Sequence, residues 1–188
     1  MSDTHGLHRQ VPIPDGDVFI HAGDFSCRRF YETDEMEDFD TFLRELPHKH
    51  KIIVAGNHDW AFYESNTPES ILHHAHYLQD KALIIDGIKF YGSPWQPRFF
   101  DWAFNLDRGK ALQEIWSKIP TDTDVLITHS PPFGILDNPK NNEHVGCADL
   151  LEKVQRINPK LHVFGHIHES YGKVTIDETT FVNASTCG

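Results

Sequence analysis

Lys51-Ile52-Ile53-Val54-Ala55-Gly56-Asn57-His58-Asp59 is the stretch that decides the fold. A short apolar run, rich in β-branched residues, reads as a buried strand. It breaks at a glycine and delivers three side chains able to bind a metal or move a proton. The same pattern recurs. Phe19-Ile20-His21-Ala22 ends in Gly23-Asp24, Leu126-Ile127-Thr128 ends in His129, and His162-Val163-Phe164 ends in Gly165-His166-Ile167-His168. A fifth motif, Asp3-Thr4-His5-Gly6, opens the chain. In α/β sheets, ligands gather beyond the carboxyl ends of strands, so these motifs should converge on one cleft. Taken singly, each Asp reads as a turn or cap residue and each His as a surface or satisfied core residue. Their repeated position after strands argues for a shared site.

Outward from these strands, the spacing predicts alternating helices. Phe39, Phe42, Leu43 and Leu46 follow a helical stripe, as do Leu112, Ile115, Trp116 and Ile119, and Leu150, Leu151, Val154 and Ile157. Thr67-Pro68 reads as the start of a further helix running through Leu78. Ala82–Ile85 and Ile88–Tyr91 flank Asp86-Gly87 as a hairpin, and Lys173–Ile176 with Phe181–Ala184 form a second. Strands alternating with helices indicate an α/β protein. Residues 93–106 and 130–146 read as long functional loops. No repeat or low-complexity segment interrupts the 188 residues, which suit one domain, 1–188.

Composition narrows the function. With 39% hydrophobic and 12% aromatic residues the chain should fold. A net charge of −11 disfavours stable binding to nucleic-acid phosphates. The longest apolar runs are far too short to span a bilayer, so no membrane association is expected. No secretory leader is evident, and three cysteines without C-x-x-C spacing suit a reducing, cytoplasmic compartment. The Asn183-Ala184-Ser185 glycosylation match reads as chance in that setting. Neither a P-loop nor a Gly-x-Ser-x-Gly elbow is present. Mixed Asp, Asn and His donors suit divalent metals of intermediate hardness, and the cysteine spacing excludes a Cys-rich structural zinc site.

Together, D-x-H, G-D, G-N-H-D, a lone His after a strand, and G-H-x-H resemble the calcineurin-like metallophosphoesterases across nearly the whole chain. Gly92-Ser93-Pro94-Trp95, His129-Ser130-Pro131-Pro132 and Asn183-Ala184-Ser185-Thr186-Cys187 are similar to the metallophosphoesterase domain-containing proteins within them. The resemblance implies two packed mixed β-sheets flanked by helices, an αββα sandwich. It implies two divalent metal ions, manganese first, with iron, zinc, cobalt or magnesium as alternatives. Asp3, His5, Asp24 and His168 would hold one ion. Asp24 would bridge to the second, completed by Asn57, His129 and His166. His58 would serve as proton donor or transition-state contact, held by Asp59, with holding the loop as the equal alternative for Asp59. Chemically, paired cations about 3.5–4 Å apart activate a hydroxide for in-line attack on phosphorus. An imidazole assisting the leaving group contributes ~10²–10⁴ in rate.

In relatives the first motif ends a buried strand, whereas only Met1 and Ser2 precede Asp3. The expectation is therefore a chain truncated at both ends, lacking the first strand, with the Asp3–His5 metal the weaker one. The reading favoured is hydrolysis of small phosphodiesters, cyclic nucleotides among them. The alternatives are a phosphomonoesterase or protein phosphatase on the same core, or a low-turnover metal- and nucleotide-binding scaffold. Asn105 and Arg108 are candidate substrate contacts, with Arg98 a further phosphate-binding candidate. Trp95, Phe99, Phe100 and Trp102 offer stacking surfaces, with loop packing as the alternative. His73, His74 and His76 read as a solvated helix face, and His48-Lys49-His50 as an exposed strand entry. Oligomeric state is left open.

Overall fold

The alternation of apolar side chains along the strands sorts them between two cores. The computed structural model describes residues 1–27, 33–140 and 143–187, so positions 141 and 142 of the expected 130–146 loop lie outside the described residues. Three parallel strands, β1 (Val18–His21), β2 (His50–Ile53) and β3 (His76–Tyr77), form one sheet in that order. A second, mixed sheet has the order β10-β11-β9-β8-β5-β4, from β4 (Lys81–Ile85), β5 (Ile88–Ser93), β8 (Val125–Thr128), β9 (Leu161–Phe164), β10 (Gly172–Ile176) and β11 (Thr179–Asn183). Its inner strands β5, β8, β9 and β11 run parallel, and β4 and β10 are antiparallel edges.

Successive residues of a strand face opposite ways. Ile52 and Val54 of the first sheet meet Phe90, Val125, Ile127 and Val163 of the second in one buried cluster between the sheets. Phe19 and Ile53 face outward against α1 (Thr33–Glu45) and α2 (Trp60–Glu64), which contribute Phe39, Leu43 and Phe62. Leu126 and Phe164 face the other side, under α3 (Lys110–Ser117) and α4 (Ala148–Ile157), which supply Leu112, Trp116, Leu150 and Val154. Each fully buried Leu, Ile or Phe here contributes about 1.5–3 kcal/mol, so the three clusters carry the fold. The architecture is the expected αββα sandwich, with one sheet parallel throughout.

Local signals explain the boundaries. Asp86 and Gly87 both take positive φ, +49° and +82°, the conformation a tight hairpin turn requires between β4 and β5. Asn158 adopts a left-handed conformation at the end of α4, its N–H capping the Val154 carbonyl, and Pro159 follows.

Two expectations are corrected. The helix from Thr67 through Leu78 is only a 3-10 turn at Pro68–Ser70 followed by β3. Asp40 of α1 accepts from the His73 and His74 amides at 2.8 and 3.0 Å, and its other oxygen meets His74 Nδ1 at 2.8 Å. That carboxylate turns the chain out of helix and into the sheet. His48, expected to be exposed, is buried, with Nε2 on the Pro14 carbonyl. The structure also adds α2 and, inside the 93–106 loop, a parallel pair β6 (Gln96–Pro97) and β7 (Asn105–Leu106).

Residues Met1–Asp3 make bonds that the end of a first strand would make. The Ala22 N–H donates to the Met1 carbonyl (2.9 Å), the Asp3 N–H to Gly23 (2.8 Å), and the Thr186 N–H to Ser2 (2.9 Å). Ser2 and Ser185 form an isolated parallel bridge. Asp3 is thereby held between the end of β1 and the segment after β11.

Candidate metal centre and flanking cavities

The strand ends deliver their polar side chains to one place. Asp24 follows β1, Asn57, His58 and Asp59 follow β2, His129 follows β8, and His166 and His168 follow β9. Among the described residues, three groups have ligand atoms mutually within 4.8 Å: Asp3, His5 and His168; His5, Asp24 and His58; and Asp24, His129 and His166. Asp24 belongs to the second and third of them, so its carboxylate lies between His5 and His58 on one side and His129 and His166 on the other. The first group holds three of the four residues expected for one ion, without Asp24, and the third holds Asp24, His129 and His166 of the other set; Asp24 reaches the first side through His5 in the second group.

Hydrogen bonds prepare the donors. His129 Nδ1 lies 2.9 Å from the Ala22 carbonyl and donates to it, which directs Nε2 to Asn57 Oδ1 (2.9 Å) and Asp24 Oδ2 (3.4 Å). His5 Nδ1 is 3.3 Å from the Ser26 carbonyl, and its Nε2 is 3.9 Å from Asp24 Oδ2. A backbone carbonyl on one nitrogen fixes the tautomer that leaves the other for a metal. Asp3 accepts from the His166 N–H (3.0 Å) and Ser185 Oγ (2.8 Å), with His168 Nε2 at 3.3 Å. Asp24 Oδ1 accepts from the His58 N–H at 2.8 Å, leaving Oδ2 toward the histidines.

The electrostatics suit cations. Burial alone would raise the Asp3 carboxyl, but the His168 hydrogen bond and the His129 charge hold it well below the usual range. Asp24 is likewise raised by burial yet lowered overall by His129. Burial lowers His129, but Asp24 outweighs it and pushes the ring up to about 9. A proton on His129 Nε2 and a metal would compete for the same lone pair, so metal binding there would release that proton. Burial, then the His129 charge, pushes His166 down to about 4, so its imidazole stays neutral and free to ligate.

Backbone geometry is also committed to the site. Asp3, His5, Asp24 and His166 have φ of +55°, +43°, +56° and +68°. Left-handed non-glycine residues store strain and concentrate at functional sites. The motif glycines leave no room for a methyl: a Cβ on Gly56 would lie 2.3 Å from Asp24 Oδ1, and one on Gly165 would lie 2.1 Å from Asp3 Oδ2.

Of the two roles open to Asp59, the hydrogen bonds favour holding the loop. Its buried carboxylate accepts from the Gly56 N–H (2.7 Å), the Asp24 N–H (2.8 Å), the Ser26 N–H (3.0 Å) and Ser26 Oγ (2.7 Å). It clamps the loops that carry Asp24 and Asn57 and does not hydrogen-bond the His58 ring. Burial, then the Asp24 charge, raises it to about 7. His58 instead packs on Trp102, ring centroids 4.0 Å apart, with Nε2 4.0 Å from Asp24 Oδ2. Burial lowers its pKa.

Asn105 is also corrected. Its amide accepts from Gln96 Nε2 and the Phe99 N–H and donates to the Phe99 and Phe100 carbonyls, so it shapes the loop and has no donor left for substrate. Arg108 donates to the Val145 and Gly146 carbonyls, at 2.6 and 2.7 Å, at the edge of a cavity. Arg98 is paired with Asp107 at 2.7 Å. Trp95 donates from Nε1 to Asp80 and is a packing residue.

Two cavities adjoin the centre. One, of about 510 Å³, is lined by His58, Phe100 and Trp102. The other, of about 580 Å³, is lined by Phe99, Arg98, Arg108, Ser130, His144 and His166. Phe99 and Phe100 touch at 4.4 Å between centroids, and both are exposed. Sequence reasoning did not find the carbonyls of Ala22 and Ser26, which carry no side-chain signal, nor Ser185 and His144.

Residues 2–170 match the calcineurin-like phosphoesterases. The chain belongs to this family. Calcineurin-like phosphoesterases are metal-dependent and generally hold two divalent ions, which agrees with the donor sets around Asp24. The human metallophosphoesterase domain-containing protein 1 is 43% identical over 213 aligned positions, covering 100% of this chain and 65% of the relative. The Caenorhabditis elegans UPF0046 protein K07C11.7 is 42% identical over 202 positions, with 100% and 68% covered. The chain thus spans about two thirds of the length of these curated relatives. A solved structure, TT1561 of Thermus thermophilus, superposes with a TM-score of 0.59 at 15% identity, covering 90% of this chain and 76% of that one, a likeness of fold. Among the described residues, no helix is long and apolar enough to cross a membrane.

Proposed function

We propose that the chain hydrolyses small phosphodiesters with two divalent metal ions, manganese favoured. The observation that carries this is Asp24, shared between two clusters of metal-competent side chains. The residues fit the ions: two carboxylates, one amide oxygen and four imidazoles converge, and the His129 and His5 rings have their outer nitrogens placed on carbonyls. Bound divalent cations would supply Lewis acidity toward phosphoryl oxygens and an acidified water as nucleophile.

The chain's own residues do the rest. Asp24 holds the two donor sets together, and Asp59 fixes its backbone. Ser185 and the His166 amide hold the Asp3 carboxylate in place. His58, lodged against Trp102, carries a proton at Nε2 for the departing oxygen. The two cavities, one beside His58 and one beside His166, accommodate the two organic groups of a diester. A small phosphoester or nucleotide is therefore the proposed substrate. Three cysteines with no disulfide among the described residues support a cytoplasmic setting.

The test is turnover of bis(para-nitrophenyl) phosphate and para-nitrophenyl phosphate with and without manganese. Metal-dependent cleavage preferring the diester supports the reading. A monoester preference of about tenfold or more in kcat/KM would replace it with a phosphomonoesterase.

A further inference from the structure

Outside the metal cluster, one imidazole is oriented by a buried carboxylate and has no assigned task. Asp137 is fully buried, and its Oδ1 accepts from His144 Nδ1 at 2.6 Å. Its Oδ2 already accepts from the Gly134 N–H (2.8 Å) and the Gly146 N–H (2.9 Å). Those two amides, with Arg108 on the Val145 and Gly146 carbonyls, hold the loop without help from the imidazole. The ring itself is 48% exposed, lies against Phe133 (centroids 5.5 Å apart), and lines the cavity of about 580 Å³ that His166 also lines. Its Nε2 has no hydrogen-bond partner among the described residues.

We propose that His144 is a specificity-determining substrate contact: with Nδ1 donating to Asp137, Nε2 presents a lone pair to a hydroxyl or amino group on the ester substituent seated beside His166. The proposal rests on the phosphodiesterase reading for the placement of that substituent. Fixing the tautomer makes the contact selective. A substituent with a hydrogen-bond donor gains a bond, and an aryl group of similar size does not. An oriented, partly sheltered acceptor discriminates by about one hydrogen bond, which corresponds to roughly tenfold in affinity. Phe99, more than half exposed at the same cavity, offers an apolar wall for the remainder of the substituent.

The experiment is calorimetric binding of thymidine monophosphate and of phenyl phosphate to the manganese-loaded chain, for wild type, His144→Ala and His144→Gln. Thermal stability and manganese content serve as controls. The expected result is an affinity for thymidine monophosphate about tenfold weaker in His144→Ala, phenyl phosphate unchanged, and partial retention in His144→Gln, whose amide oxygen replaces the acceptor. Equal losses for both ligands, no loss for either, or no binding of thymidine monophosphate would overturn the proposal. Because the readout is binding, the two readings separate: the expected pattern in a chain that hydrolyses no ester would leave His144 as a contact and remove the phosphodiesterase.

Discussion

Gly56→Ala isolates the close packing on which the centre depends. Gly56 does not need a left-handed backbone, so alanine introduces only a methyl. That methyl would sit 2.3 Å from Asp24 Oδ1, 2.5 Å from the Asp24 amide nitrogen and 2.6 Å from His129 Cε1. Ordinary contact begins near 3.4 Å, so Asp24 or the Gly56 loop must move by about 1 Å. The loop is not free to yield, because Asp59 ties the Gly56 and Asp24 amides to one carboxylate. Overpacking of this kind costs about 1–3 kcal/mol of stability. Displacing the shared ligand should weaken metal binding by about 10–100-fold, the range seen when the support of a metal ligand is lost. Chemical denaturation and manganese titration would measure both. Gly16→Ala is the control, since its nearest neighbour would be an ordinary 3.6 Å away. Undiminished manganese affinity in Gly56→Ala would mean that the methyl finds room the geometry denies, and that Asp24 does not depend on this close packing.

Two further outcomes follow from other parts of the molecule. His58→Asn should keep manganese affinity near wild type while lowering kcat for the diester by ~10²–10⁴, and a variant losing metal instead would make His58 a ligand. His162 is fully buried, with Nε2 donating to Thr128 Oγ1 at 2.9 Å, and burial pushes its pKa down to about 3 from 6.5. Between those values the unfolded chain binds a proton that the folded chain refuses. Stability should therefore fall as pH drops below about 6.5, by at most about 1.4 kcal/mol per pH unit from this group. Urea denaturation across that window should show a shallower acid limb in His162→Gln than in wild type, and identical slopes would count against the assignment.

The features legible in sequence were those written in local order. A strand run followed by a polar residue, with a glycine between in all but His129, put Asp24, Asn57, His129 and His166 beyond the carboxyl ends of strands, where the structure has them, because strand direction fixes which end carries the loop. Helical stripes located α1, α3 and α4 for the same reason. What escaped was decided by distant partners. Pro68 does begin a helical turn, but Asp40, more than thirty residues earlier in the chain, captures the His73 and His74 amides and ends it. Asp59 stands next to His58 in sequence, which left orienting that ring or holding the loop equally open; only its distant partners, the amides of Gly56, Asp24 and Ser26, decide for the loop. Asn105 looked available only because its partners, the Phe99 and Phe100 carbonyls, are main-chain groups invisible in a string of residue names. The Asp137–His144 pair is formed across a loop with no periodicity to announce it.

The most direct test of the shared-carboxylate centre is anomalous diffraction from crystals of the chain soaked in manganese. Two peaks are expected on either side of Asp24, one among Asp3, His5 and His168 and one among Asn57, His129 and His166. A single ion, or ions bound away from Asp24, would contradict the shared carboxylate.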